Sequence, residues 1–248
     1  MDVGRSDPKG APVRVGVTLP TFRDDAAAVE AARRAEALGL DGVFVFDHIW
    51  PLGNRDRPAL TAFPVLGAVA AVTSRIHLGT LVARIGLRPD DVLVAQLASL
   101  AAMAPGRLIA GMGTGDSKSA AENEAYGIPP GPPDERRLAL AHCARRVLAL
   151  GVPIWVGGGS KATTELAADL GPGAAVNLWT AAPAAVAALA GRFEVTWGGP
   201  VAAEAAEIAL QLSELAAAGA TWAVCSWPQS LEGVAEVAAM LRGSSHPD

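Results

Sequence analysis

His48 is one of four histidines, and it follows Asp47 where the apolar run 42–46 gives way to a polar loop. A neutral imidazole at such a place can take or give a proton near about pH 7. The plain alternative is a hydrogen-bonded ring that shapes the loop, and Asp47 can orient backbone as readily as do chemistry. Asp116 closes the glycine-rich stretch Gly111-Met112-Gly113-Thr114-Gly115, with Glu122 a few residues further on. Asp116 can serve as a general acid if burial raises its pKa, or simply cap the turn after Gly115. In Gly157-Gly158-Gly159-Ser160-Lys161, glycines would let backbone N–H groups approach a phosphate at a helix N-terminus. The competing reading is a tight strand-to-helix turn with Ser160 as N-cap. Trp50, Trp179 and Trp227 stand where strands end, and each could wall a flat ligand or plug a barrel mouth.

The other histidines carry less. His77 begins a strand, at the end away from these groups; His142 sits mid-helix and His246 in the C-terminal tail. There is no Ser-His-Asp order, no HExxH and no paired metal-ligand spacing. The glycines at 111–115 do not form a GxGxxG turn, and the P-loop pattern is absent.

These residues need elements to position them. The stretch 73–116 reads as an apolar run from Ile76 ending at Gly86, a helical run 92–103 closed by Pro105-Gly106, and a second apolar run from Leu108. Strand, crossover helix and strand make a parallel βαβ unit, and near-continuous apolar strands are covered on both faces. The alternation runs throughout, with strands at 13–19, 42–46, 153–156, 174–179, 193–197 and 221–226. Helices fall at 24–38, 61–72, 134–150, 161–170, 183–191, 202–218 and 231–242. Residues 117–133, ending in Pro-Pro-Gly-Pro-Pro, read as irregular. Eight βα units without a composition break predict a single closed (β/α)8 barrel, a fold of roughly 250 residues. An open sheet with irregular last units is the alternative. In the barrel, ligand-binding groups gather past the C-terminal ends of the strands. That places Thr80, Leu81, Val82 and Arg84 late in the third strand and Asn177 and Trp179 late in the sixth, on the same rim as His48, Asp116 and the triple glycine.

Composition narrows the classes. A net charge of -5 argues against a nucleic-acid surface, and Cys143 and Cys225, far apart, indicate neither metal nor disulfide. No apolar run reaches the ~18 residues that span a bilayer. The N-terminus lacks a signal-peptide apolar core. The expectation is a soluble cytoplasmic protein with a disordered tail over 1–12 and a barrel over 13–248.

On these residues the chain resembles the luciferase-like monooxygenase superfamily, most closely its deazaflavin (coenzyme F420) dependent oxidoreductases. The resemblance is carried by Ala37-Leu38-Gly39-Leu40-Asp41-Gly42-Val43, Phe46-Asp47-His48 and Thr73-Ser74-Arg75-Ile76-His77-Leu78-Gly79-Thr80. It continues through Gly106-Arg107-Leu108, Gly111 to Gly115, Tyr126-Gly127, Pro153-Ile154-Trp155-Val156-Gly157-Gly158-Gly159 and Asn177-Leu178-Trp179. It implies a barrel, usually a homodimer, with F420, or alternatively FMN, across the C-terminal face. The phosphate tail would lie on Gly157, Gly158 and Gly159, and the ring against a third-strand bulge with a cis peptide near Leu81-Val82. Asp47, Thr80, Gly113, Thr114, Asn177 and Trp179 would complete the cofactor site. His48 matches a catalytic position, and Asp116 stands where a longer Glu is common.

The chain departs from that pattern in being short, with reduced segments after the fourth strand and near the seventh. The substrate pocket would then be more open or completed by a partner. Three functions follow: hydride transfer between F420 and a small organic substrate, an FMN-dependent monooxygenase using oxygen, or a non-catalytic carrier of the cofactor. Neither nucleic acid nor membrane is an expected partner.

Overall fold

Each strand is a short apolar run because the element is buried on both faces, by side chains inside the barrel and by helices outside. The computed structural model describes residues 12–22, 27–51, 54–57, 59–115, 117–129 and 131–243. The strands are β1 (Arg14–Thr18), β2 (Gly42–Val45), β3 (His77–Arg84), β4 (Leu108–Gly113), β5 (Ile154–Gly157), β6 (Ala174–Trp179), β7 (Glu194–Gly199) and β8 (Ala220–Cys225). They pair in chain order, all parallel, and β1 closes on β8 through Arg14 opposite Trp222 and Val17 opposite Cys225. The expected (β/α)8 barrel is the fold.

The helices are α1 (Ala27–Ala37), α2 (Ala62–Val72), α3 (Asp90–Met103), α4 (Ala120–Ala125), α5 (Pro133–Leu148), α6 (Lys161–Leu170), α7 (Pro183–Ala190), α8 (Ala205–Ala217) and α9 (Leu231–Gly243). They start and stop on local chemistry. Asp90 and Asp91 open α3 at the positive end of its dipole, and Pro133 sits at the start of α5, where no N–H is needed. Leu93, Leu97 and Leu100 give α3 one buried stripe. None of the described helices is long and apolar enough to cross a membrane.

The barrel interior is floored by aromatic rings. Phe44 stacks on Trp155 at 4.9 Å between centroids, and Trp222 meets both edge-on at 5.9 and 5.4 Å. His77 packs against Trp222 at 5.7 Å, with Nδ1 3.3 Å from the Arg107 carbonyl. Burial holds its pKa below the ordinary value. This is the end of the barrel opposite His48, and the role is structural, as expected from its place at the start of a strand.

One expectation about elements fails. Residues 117–133 are not irregular throughout: a 3-10 turn at Ser117–Ser119 leads directly into α4. Six residues are too few to hold a helix alone. What fixes α4 is the burial of Glu122 against the end of β2. The expected tail over 1–12 lies outside the described residues except for Pro12, and so does the expected start of the first helix at 24–26.

Candidate functional site

Beyond β2 the chain delivers Asp47 and His48 in succession, and each is taken by a different cluster. The Asp47 carboxylate faces Arg88, which donates Nη1 to Oδ2 at 2.8 Å and Nη2 to Oδ1 at 2.7 Å. Oδ2 also accepts the Arg84 backbone N–H at 2.9 Å, and Arg84 Nε donates to the Asp47 carbonyl at 3.1 Å. Asp47 is buried and fully engaged, so it ties β2 to the end of β3 and the loop behind it. A two-pronged, charge-assisted pair of this kind is both strong and directional.

His48 turns to Glu122. Its Nδ1 lies 3.0 Å from Glu122 Oε2, while Oε1 accepts the N–H of Ile49 and, at 3.3 Å, that of Trp50. Arg84 Nη2 stands 2.9 Å from the same Oε2 as an ion pair, out of line for a hydrogen bond, and Nη1 donates to Asn123 Oδ1 at 3.2 Å. Burial pushes the Glu122 carboxyl up. The hydrogen bonds from His48 and Ile49, with the charge of Arg84, outweigh it and leave the pKa below its ordinary value. Glu122 is therefore ionised near neutrality and can only accept, so Nδ1 donates. A neutral His48 then carries its lone pair on Nε2, and its side chain retains 16% exposure while Glu122 has none. The arrangement is an oriented proton acceptor held by a buried carboxylate whose charge Arg84 balances.

The third-strand bulge is present: β3 and β4 lose register between Thr80 and Ala83, and the Leu81–Val82 peptide is cis. Val82 leans into the barrel over glycines. A Cβ on Gly111, Gly113 or Gly157 would come within 3.1, 2.7 or 3.2 Å of its methyl carbons. Thr80 and Asn177 are buried and already engaged, the Thr80 hydroxyl donating to the Gly111 carbonyl at 2.7 Å and Asn177 Nδ2 to Thr196 Oγ1 at 2.8 Å. Thr114 is half-buried, and its carbonyl accepts Arg136 Nη1 at 2.6 Å.

Within the triple glycine the three positions have different reasons. Gly157 makes room for Val82, and a Cβ on Gly159 would lie 2.9 Å from a Leu178 methyl. Gly158 alone has positive φ, 108°, and its carbonyl accepts the Thr163 hydroxyl at 2.8 Å. Ser160 caps α6, accepting the Thr163 N–H at 3.3 Å. Both sequence readings of this turn, anion cradle and capped turn, are compatible in one structure.

Of the three strand-end tryptophans, Trp50 is buried, ringed by Tyr126 at 5.8 Å and the Arg55 guanidinium at 5.5 Å. Trp179 and Trp227 remain exposed. Asp116 lies outside the described residues. Glu122, Arg84 and Arg88 are the residues that sequence reasoning left without a role. The helix-forming run Ala120-Ala121-Glu122-Asn123-Glu124-Ala125 was the available signal. Among the described residues no cluster of His, Cys, Asp or Glu could hold a metal.

A closed parallel barrel with its polar cluster and glycine turn on the C-terminal rim is the architecture of a small-molecule enzyme site. The model of the family described as "Luciferase-like monooxygenase" matches residues 10–198, and the chain belongs to that family. It is similar to the F420-dependent glucose-6-phosphate dehydrogenase of Beutenbergia cavernae, 41% identical over 124 residues, 50% of this chain and 35% of that protein. The same-named protein of Kineococcus radiotolerans is 40% identical over 114 residues, 45% of this chain and 34% of that one. The chain thus matches about a third of the length of these curated relatives.

Two solved structures share the fold at low identity. An F420-dependent secondary alcohol dehydrogenase in complex with an F420-acetone adduct has a TM-score of 0.77 at 15% identity, covering 95% of this chain and all 100% of its own. The F420-dependent tetrahydromethanopterin reductase of Methanopyrus kandleri has a TM-score of 0.70 at 14% identity, covering 92% of this chain and 97% of its own.

Proposed function

We propose that the chain is an F420-dependent oxidoreductase that exchanges a hydride between the deazaflavin and a small organic substrate. The observation that carries this reading is His48, tethered through Nδ1 to buried Glu122 with Nε2 left as the free ring nitrogen. The names of the sequence relatives support the choice of cofactor. The residues fit the group. Gly158, in a backbone conformation that disfavours side chains, precedes the N-terminus of α6 and would hold a phosphate with Gly157 and Gly159. Leu81 and Val82 at the bulge would back the ring, with Gly113, Thr114 and Trp179 around it.

When bound, the cofactor supplies the two-electron step. The chain supplies orientation and proton transfer. With an alcohol as substrate, His48 Nε2 would take the hydroxyl proton as the C=O bond forms, and the bound deazaflavin would supply the acceptor for the carbinol hydride. Asp47 and Arg88 fix the strand end from which His48 projects, and Glu122 fixes its ring. The working form in this proposal is a cytoplasmic homodimer, and sedimentation velocity reads the assembly directly.

The test is titration of purified protein with F420, followed by loss of the oxidised deazaflavin's visible absorbance on adding alcohols. Binding with His48-dependent turnover supports the proposal. Absence of deazaflavin binding ends it, and oxygen uptake driven by reduced FMN would install the monooxygenase reading instead.

A further inference from the structure

Beside the proton-transfer cluster, from the ends of β1 and β2 across to those of β6 and β8, the C-terminal rim carries half-buried and exposed aromatic rings. The alternation that turns Phe44 into the barrel carries on to Phe46, and that of β6 turns Ala175, Asn177 and Trp179 inward. β2 and β6 stand on opposite sides of the closed barrel, yet Phe46 and Trp179 meet edge-on at 5.3 Å. Phe22, just past β1, lies parallel to Phe46 at 5.9 Å. Trp227, just past β8, donates its backbone N–H to Thr18 Oγ1 at 2.9 Å. Trp179 is 42% exposed and Trp227 37%.

The position of Trp179 is enforced by its surroundings. A Cβ on Gly198 would lie 2.7 Å from its Cε3, so the facing strand leaves the space clear. Thr180, next in the chain, has φ of 55°, the one positive value among the described non-glycine residues, and its N–H donates to the Gly198 carbonyl at 2.7 Å. A β-branched residue takes that conformation only under constraint.

Among the described residues the cations lie elsewhere, and Arg23, which follows Phe22 in the chain, is outside them. Arg84 and Arg88 are committed to Glu122 and Asp47. From Phe193 to Leu241 the chain has no Lys or Arg, so the loops after β7 and β8 carry none, and the loop after β6 is Thr180-Ala181-Ala182. Arg55 and Lys118 line a separate open cleft, on a different face of α4 from Glu122, that none of these aromatic residues borders. A phosphate dianion held between Trp179 and Trp227 would be desolvated against rings, with no Lys or Arg on the described loops after β6, β7 and β8 to meet it.

Resting on the F420 reading, we infer that the substrate is a neutral, carbon-rich secondary alcohol or its ketone, gripped by Phe22, Phe46, Trp179 and Trp227, and not a phosphorylated sugar. The name borne by the sequence relatives therefore does not transfer at the level of substrate.

The experiment first measures the Kd of F420 by deazaflavin fluorescence. It then measures binding by calorimetry, and turnover, of cyclohexanol and of glucose-6-phosphate on the loaded protein. The expected kcat/KM for cyclohexanol exceeds that for glucose-6-phosphate by about 100-fold. Along 2-propanol, 2-butanol and 2-pentanol, kcat/KM should rise by about fourfold per methylene, the factor for a buried CH2. Phe22→Ala and Trp227→Ala should each weaken cyclohexanol binding while the Kd of F420 stays unchanged. With F420 bound, equal or better use of glucose-6-phosphate, a flat alcohol series, or no binding of either probe overturns the substrate assignment alone. A chain that does not bind deazaflavin overturns the cofactor reading, and this assignment with it.

Discussion

Glu122→Gln preserves shape and removes one charge at the centre of the cluster. In the wild type, Oε1 takes the Ile49 and Trp50 N–H groups, and Oε2 takes His48 Nδ1 and the Arg84 charge. A glutamine keeps its oxygen toward the two backbone donors and turns its NH2 toward His48 and Arg84. The NH2 then faces Arg84 Nη2 donor to donor, and His48 Nδ1 must become an acceptor, moving the ring proton to Nε2. The Arg84 guanidinium, 5% exposed, loses the carboxylate that balances it. Breaking a buried pair from one side costs about 3–5 kcal/mol. For a chain of this length that is a fall in Tm of roughly 6–20 °C. Turnover should fall by about 100- to 10,000-fold, because a proton acceptor has been turned into a donor.

The pH dependence follows with its sign. The folded Glu122 pKa is below the ordinary 4.5. Its contribution is therefore complete above that value and is lost as pH falls through the lower folded one, with a limiting slope of about 1.4 kcal/mol per pH unit. Urea unfolding of wild type and variant should differ most at neutral pH and converge in acid. Nitrogen-15 NMR of His48 reads the tautomer directly. A variant with wild-type Tm and the proton still on Nδ1 would refute the reasoning.

Three further changes probe other parts of the argument. Arg88→Met strips Asp47 of two hydrogen bonds and its countercharge and should cost about 3 kcal/mol in urea unfolding, with Arg88→Lys failing to restore it because an ammonium lacks the two-pronged geometry; an unchanged midpoint contradicts this. Trp222→Ala empties the barrel floor beneath Phe44 and Trp155 and should lower stability by about 3–5 kcal/mol while leaving the deazaflavin Kd within about twofold; a selective loss of cofactor binding would relocate the site. Gly158→Ala forces a side chain onto a backbone at φ 108°, at about 1–3 kcal/mol, and should weaken F420 binding more than it weakens the fold; equal affinity would show that the turn is only a turn.

The architecture was legible in the chain because a buried parallel strand writes itself as an apolar run and a covering helix as a periodic one. β6 and α6 fall where periodicity alone puts them, and the bulge and cis bond fall at Leu81–Val82, where the family resemblance puts them. The Asp47-His48 pair and the triple glycine stand out because their residue types are rare at such points.

What stayed hidden was partnership. α4 signals itself only by a six-residue helix-forming run, and what holds it as a helix is a carboxylate that docks on another strand's end. Glu122 lies 74 residues from His48, so no local spacing joins them; the side-by-side pairing of β2, β3 and β4 brings the β4 loop over the end of β2. Barrel closure sets Phe46 against Trp179 from opposite strands, while Thr80 and Asn177 are bonded to neighbouring strands inside the wall. Sequence determined which groups each strand carries to the rim, since that depends on nearest neighbours. Tertiary structure decided which of them face one another, since that depends on how the sheet curves shut.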